Sequence, residues 1–350
     1  MKKILTVVSS LLLAFVLIAC SNKPKLKLYV PNDYTNKDLI RQFEKENNVR
    51  VKIITFNSNE VALGNVRANS YDVVVPSDYA IEELAKENLL EKIDFDSLVD
   101  ETFELAPGLE AFLNQLNEEG FNFKEYSVPY FWGSLGILYN NNKISKEEIA
   151  NLGFSVIGKK DLNTVIYDSS RDALMVGLNV VGKKLDEATQ KDIDAAKDWL
   201  ISAKRNGARI LSDEILTDML KGTPHDAVIA YSGDAVYIMD ENSNYDFYIP
   251  ENTNMFADGF VVPKNAKNKE LAFKFIKFMT TKEAALANTL ELGYTAARKD
   301  VFEQMLNEDF SEERIKLAYE SKIELFQIFR YDIDLKEKIE KAWELVLVAK

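Results

Sequence analysis

Short apolar runs at strand spacing alternate with amphipathic helical stretches along most of this 350-residue chain, and no other feature restricts the fold as much. Leu26 to Val30 reads as a strand, and Thr35, Asn36 and Asp38 then supply a helix start with Leu39, Ile40 and Phe43 on one face. Val49, Val51 and Ile53 alternate with polar residues before Ile54 and Phe56, which is again strand spacing. Asn59 to Arg67 reads as a helix, Asp72-Val73-Val74-Val75-Pro76 as a short buried parallel strand, and Tyr79 to Glu87 as the next helix. This βαβαβ rhythm predicts a doubly wound α/β sheet, whose ligands sit beyond the carboxyl ends of its strands.

The rhythm resumes after Trp132. Val165-Ile166-Tyr167 reads as a strand and Arg171 to Val181 as a helix carrying Leu174, Leu178 and Val181. Glu187 to Lys204 reads as a long helix with Ile193, Ala196 and Leu200 on one stripe, followed by strands at Ala227–Tyr231 and Tyr245–Ile249. Leu271, Phe275 and Phe278 mark another amphipathic helix, and Thr280-x-x-Glu283 predicts a capping box for the helix after it. The tail from Leu335 to Val348 is helical, with Ile339, Trp343 and Leu347 recurring about every four residues. With no internal repeat and no long linker, the pattern predicts two lobes crossed more than once by the chain.

The first residues address the compartment. Lys2 and Lys3 precede an apolar run from Ile4 to Ala19, which is short for a membrane span of roughly 20 residues. The run ends in Leu17-Ile18-Ala19-Cys20, with a small residue just before the only Cys. This resembles the lipobox of bacterial lipoproteins. The resemblance implies a signal peptide over 1–20, a diacylglycerol on Cys20, cleavage that leaves Cys20 as the new N-terminus, and a polar tether over 21–25. Acyl chains gain roughly 0.8 kcal/mol per buried CH₂, so a multiply acylated Cys20 would hold the protein to a bilayer.

A single Cys also rules out an intrachain disulfide, a thiolate metal cluster and a Cys nucleophile in the mature body. The single His225 rules out a His-rich metal site; it falls in the turn-like Gly222-Thr223-Pro224-His225-Asp226 and is expected in a surface loop. There is no Gly-x-Ser-x-Gly, and Val156-Ile157-Gly158-Lys159-Lys160 lacks the glycines and the Ser/Thr of a P-loop. The sequence therefore predicts no enzyme, no cofactor and no metal. Its 56 acidic against 43 basic residues give a formal charge of −13, and loss of Lys2 and Lys3 makes it more negative still. Such a chain is a poor nucleic-acid binder, but its field draws in small cations.

Several strings then fall in order along the chain. They are Leu28-Tyr29, Asn32-Asp33-Tyr34, Ser58-Asn59-Glu60, Asp72-Val73-Val74-Val75-Pro76-Ser77 and Val128-Pro129-Tyr130-Phe131-Trp132-Gly133. Ala257-Asp258, Pro263-Lys264-Asn265-Ala266-Lys267-Asn268 and Leu292-Gly293-Tyr294 follow. Together they resemble the periplasmic spermidine/putrescine-binding proteins of bacterial polyamine importers, from about residue 26 to 345. The resemblance implies an α/β, two-lobed periplasmic-binding-protein fold of type II, each lobe a doubly wound sheet, with ligand in the interlobe cleft. It implies one lobe of 26–131 plus 258–301 and a second of 132–257 plus 302–350, with crossings near Trp132 and Phe256. Its partners would be a polyamine, the permease subunits of an ABC transporter, and a membrane reached through the lipid anchor, on the periplasmic or extracellular side. The default state of such a binder is a monomer, free to close and to dock.

A polyamine is a methylene chain with ammonium groups, so its binder needs carboxylates at the nitrogens, rings along the methylenes and oxygen acceptors for the remaining N–H groups. The resemblance assigns Asp258 to an amine, in the family's Asp position before Pro-x-Asn-Ala-Lys-Asn. It assigns Asp172 to a terminal amine, although an acid in a first helical turn also complements the helix dipole. The family's further acid three residues earlier is Ser169 here, with Asp168 beside it, and Asp33 is the expected compensating carboxylate. Tyr34, Tyr79, Tyr231, Phe256 and Tyr294 fall on or beside the family's aromatic positions; relatives commonly have Trp where Tyr231 and Phe256 stand. A Trp expected just before Asp33 is absent, and Trp132, Trp199 and Trp343 do not replace it. Ser77 and Gln327 complete the set as neutral hydrogen-bonding partners. The alternative function is a surface lipoprotein of the same fold that takes another small cation, or that has lost transport and serves sensing or adhesion.

Overall fold

The computed structural model describes residues 23–212, 214–321 and 326–350; the expected leader and Cys20 lie outside them. The chain opens with β1 (Lys25–Pro31), α1 (Lys37–Asn47), β2 (Arg50–Phe56), α2 (Asn59–Ala68), the two-residue β3 (Val73–Val74) and α3 (Asp78–Lys86). β1 pairs in parallel with β2 on one side and β3 on the other, so the predicted βαβαβ unit is present. Local chemistry sets its boundaries. The Asn36 side chain accepts from the N–H groups of Asp38 and Leu39 to start α1, whose buried face is Leu39, Ile40 and Phe43. Asn48, in the left-handed region at φ 52°, ends it. Asp72, 2% exposed, accepts from Lys27 N–H through one oxygen and from the Lys267 and Asn268 N–H groups through the other. That carboxylate ties the edge of β3 to the start of the helix that begins at Lys269.

The sheet continues with β4 (Ser127–Asn140), β5 (Thr164–Tyr167), β6 (Arg209–Leu211), β7 (Ala227–Tyr231), β8 (Tyr245–Tyr248) and β9 (Thr253–Val261). β5 pairs in parallel with β6 and β7, and β7 lies antiparallel to the second half of β4. The first half of β4 instead pairs antiparallel with β9, from Ser127↔Val261 to Ser134↔Met255. The full path is β2-β1-β3-β9-β4-β7-β5-β6, one curled sheet in which β4 serves two doubly wound halves. β10 (Thr295–Ala296) adds to β4 opposite Phe131 and Trp132, and β11 (Phe326–Gln327) adds to β9 opposite Thr253 and Asn254.

Helices α4 (Ser170–Val180), α5 (Gln190–Arg205) and α9 (Ile333–Val348) pack together over the second half, burying Leu174, Ile193, Leu200 and Trp343. Between them in sequence come α6 (Ser232–Glu241), α7 (Lys269–Met279) and α8 (Lys282–Leu292). The core of the first half centres on Leu26, Phe43, Val73, Phe260 and Phe275.

Three expectations are corrected. The long helix starts at Gln190, because Thr189 and Asp192 form a reciprocal capping box there. The box expected at Thr280 is not a box: Thr281 caps α8 by accepting from Ala284 N–H, while Thr280 ends α7 and donates to the Leu98 and Ile276 carbonyls. His225 is not on the surface. It is fully buried against the Arg209 guanidinium, and burial with that cation pushes the imidazole below its ordinary range.

Candidate ligand-binding site

The strand ends meet at one cavity of about 370 Å³. Asn32 to Thr35 follow β1, Asn57 to Glu60 follow β2, and Ser77 and Tyr79 follow β3. From the other half, Ser169 and Asp172 follow β5, Ser212 follows β6, and Asp234 follows β7. Two doubly wound units thus present their carboxyl ends to each other, where this topology places ligands. β9 crosses between them and contributes Asn254, Phe256 and Asp258.

Of the residues expected in the site, Asp33, Tyr34, Ser77, Tyr79, Asp172, Tyr231, Phe256, Asp258 and Tyr294 line this cavity. Gln327 does not. Its side-chain oxygen accepts from Leu185 N–H at 2.7 Å and its amide nitrogen donates to the Asn252 carbonyl, so it braces the β11–β9 edge. Asp33 lies at the exposed rim with a left-handed φ of 47°.

The two principal acids are built alike. Asp258, 6% exposed, accepts from Ser77 Oγ at 2.6 Å and from the Tyr34 hydroxyl. Burial pushes its carboxyl up to about 6, opposed by those two hydrogen bonds. Asp172, 5% exposed, accepts from the Tyr231 hydroxyl at 2.7 Å through Oδ2. Its other oxygen, Oδ1, is buried and takes no hydrogen bond from the protein. Burial likewise raises Asp172 to about 6, against the pull of the Tyr231 hydrogen bond and of the nearby Ser169 hydroxyl, whose oxygen accepts from Asp172 N–H at 3.3 Å.

The same device recurs at two acids to which sequence reasoning assigned no role. Tyr294 donates to Asp234 at 2.8 Å, and Tyr79 donates to Glu60 at 3.0 Å. Asp234 sits in the first turn of α6 after β7, as Asp172 sits in the first turn of α4 after β5; that equivalence is the signal that could have found it. Asn59 clamps Ser77, donating to its Oγ and accepting from its N–H, both at 3.0 Å. The rings interlock, with Tyr34 edge-on to Tyr294 at 4.8 Å and Tyr231 edge-on to Phe256 at 5.3 Å. Among the lining residues, Asp33, Glu60, Asp172, Asp234, Asp258 and Glu291 stand against a single cation, Lys37. The acids are distributed along the walls; among the described residues no three ligating side chains group closely enough for a metal ion.

The model of the bacterial extracellular solute-binding proteins matches residues 38–315. The chain belongs to that family. A relative from Salmonella typhimurium, a spermidine/putrescine-binding periplasmic protein, is 27% identical over 82% of this chain and 83% of its own length. The putrescine-binding periplasmic protein SpuD of Pseudomonas aeruginosa is 28% identical, over 86% and 87%. Among solved structures, the spermidine/putrescine ABC transporter substrate-binding protein PotD from Streptococcus pneumoniae superposes with a TM-score of 0.71 at 27% identity, covering 93% of this chain and 99% of that one. Family and topology agree on the two-lobed type II architecture. Solute-binding proteins of this family act outside the cytoplasm, and among the described residues no helix is long and apolar enough to cross a membrane.

Proposed function

We propose that this solute-binding protein captures a polyamine, spermidine or putrescine or both, and delivers it to the permease subunits of an ABC transporter. The observation that carries this reading is the repeated acid–tyrosine pair along one cavity. Each hydroxyl donates to a carboxylate, which orients the acid and favours its charge, while the ring presents apolar surface to a methylene chain. Asp172 Oδ1 adds an acceptor that is buried without a protein donor, a state that costs about 1–3 kcal/mol and that an ammonium N–H would relieve. The relatives named above bind the same class of ligand by their descriptions.

The ligand residues in this reading are Tyr34, Ser77, Tyr79, Asp172, Tyr231, Phe256, Asp258 and Tyr294, with Asp33 at the rim and Asp234 and Glu60 added from the geometry. The lobes are 26–131 plus 258–301 and 132–257 plus 302–350. The pairing of Trp132 with Ala257 and of Gly133 with Phe256 supports a hinge at that crossing. The protein performs no chemistry on its ligand, acts as a monomer, and is held to the outer face of a membrane by lipid on Cys20.

Calorimetry with spermidine, putrescine and a neutral diamide of matched length tests the assignment. Micromolar or tighter binding of the amines and none of the diamide is the expected result. Equal binding of the diamide would remove the basis for a cation site.

A further inference from the structure

The acid–tyrosine pairs account for only part of the cavity wall. Alongside Asp234 the lining turns apolar. Ile215, Leu216 and Met219 come from the short helix Glu214–Leu220, Leu138 from β4, Ile229 from β7 and Tyr237 from α6. These elements enclose a recess, since β7 lies against β4 and the short helix packs on α6. Leu138, Ile215, Met219 and Ile229 are all buried. The local sequence explains which face the short helix turns inward. Ile215, Leu216 and Met219 form one apolar stripe, while Asp218 on the same helix is drawn to Arg209 at 3.9 Å. Asp234 and Tyr237 stand three residues apart on α6 and share a face, so the recess opens beside an acid that Tyr294 already orients.

We propose that this recess is a subsite for an uncharged alkyl arm on one terminal nitrogen of a polyamine, with that nitrogen held as a secondary ammonium at Asp234. The inference rests on the cation reading of the cavity. Pockets of roughly 300–1,000 Å³ hold drug-sized ligands, and this cavity of about 370 Å³ has room beyond a short diamine. An ammonium pushed against leucine, isoleucine and methionine would lose its water without gaining a partner, whereas hydrocarbon is favoured there. Because the recess and the acids line one continuous cavity, the occupant that satisfies both carries amines and an apolar arm in a single molecule. The bond between them is an N-alkyl link. An N-acyl group would turn the nitrogen into a neutral amide and leave Asp234 without its cation, while an alkyl group keeps the charge.

The experiment is calorimetry of the wild-type chain with putrescine and with N-butylputrescine, at one pH and one salt concentration. Each methylene taken out of water tightens binding about fourfold, so a butyl arm that is even partly buried should gain at least about tenfold. Met219→Gln keeps the length of the side chain and puts an amide into the apolar wall. It should leave putrescine affinity within about twofold and cut the butyl advantage to under about threefold. Leu216→Gln, at a half-buried position, makes the same test should the first variant not fold. N-Butylputrescine no tighter than putrescine on the wild-type chain, or a folded variant that keeps the whole advantage, would overturn the subsite. Failure of both amines to bind would overturn the cation reading instead.

Discussion

At Asp258 the fold disfavours the charge that the ligand requires. Burial lifts the carboxyl to about 6, while the Tyr34 and Ser77 hydroxyls limit the rise. A buried acid with a raised pKa is favoured by the fold in its protonated form, so it removes stability as pH rises from the unfolded value near ~3.9 through about 6. Cation affinity runs the other way and falls as pH drops through about 6, where Asp258 and Asp172 both take up protons. Asp258→Asn is expected to weaken polyamine binding at least about tenfold, or ~1.4 kcal/mol. Unliganded, the same variant should gain stability relative to wild type between about pH 4 and 6. Calorimetry and denaturant titrations across that range check both trends, and a variant that keeps wild-type affinity would remove Asp258 from its role. That Asp258, Tyr34 and Tyr294 belong to the cavity wall was legible because each sits in a local string resembling a known family, whereas Asp172, Tyr231 and Phe256 sit in none of those strings and reach the wall through the fold. Gln327 was not legible, because its amide is consumed by Leu185 and Asn252, which only the fold brings near. His225 sits in a turn-like string, and nothing local to it reveals that Arg209 and the strands close over it.

Elements with a full period could be read directly, since two-residue alternation and 3.6-residue stripes leave apolar marks in the sequence. The tail helix follows that logic through Ile339 and Trp343, although Val346 and not Leu347 completes its buried face, whereas Ala227–Tyr231 is a continuous apolar run covered on both sides. The two-residue strands β10 and β11 carry no such pattern; their identity comes from the partners they pair with. The start of α6 shows how an element shapes the site. Tyr294 lies across Gly233, and a Cβ on that glycine would fall 2.3 Å from Tyr294 Cγ. Gly233→Ala should therefore push the ring aside, break its hydrogen bond to Asp234 and lower polyamine affinity about tenfold. Circular dichroism should show the helix content unchanged, and calorimetry should show the loss. Unchanged affinity would mean that Tyr294 and Asp234 do not act as a pair. Asp234 escaped sequence reading because an acid in a first helical turn is common enough to need no ligand.

For the molecule as a whole, the βαβαβ rhythm and the ordered strings made two doubly wound halves readable, but not how they are joined. β4 is shared by both, with β9 crossing beside it. The proposed lipid anchor falls on Cys20, outside the described residues, and is tested by mass. Membrane extracts should yield intact protein that begins at Cys20 and carries acyl groups, and an unmodified Cys20 would defeat the lipoprotein assignment. The sharing of β4 constrains anyone who edits this architecture. Its 14 residues run from a border with β9, with one register shift between Pro129 and Phe131, to a border with β7. Severing the polypeptide at Trp132 would strip a rib from each half at once. Such a receptor cannot be divided into two self-sufficient modules; the frame and the mouth it encloses must be made, and lost, together.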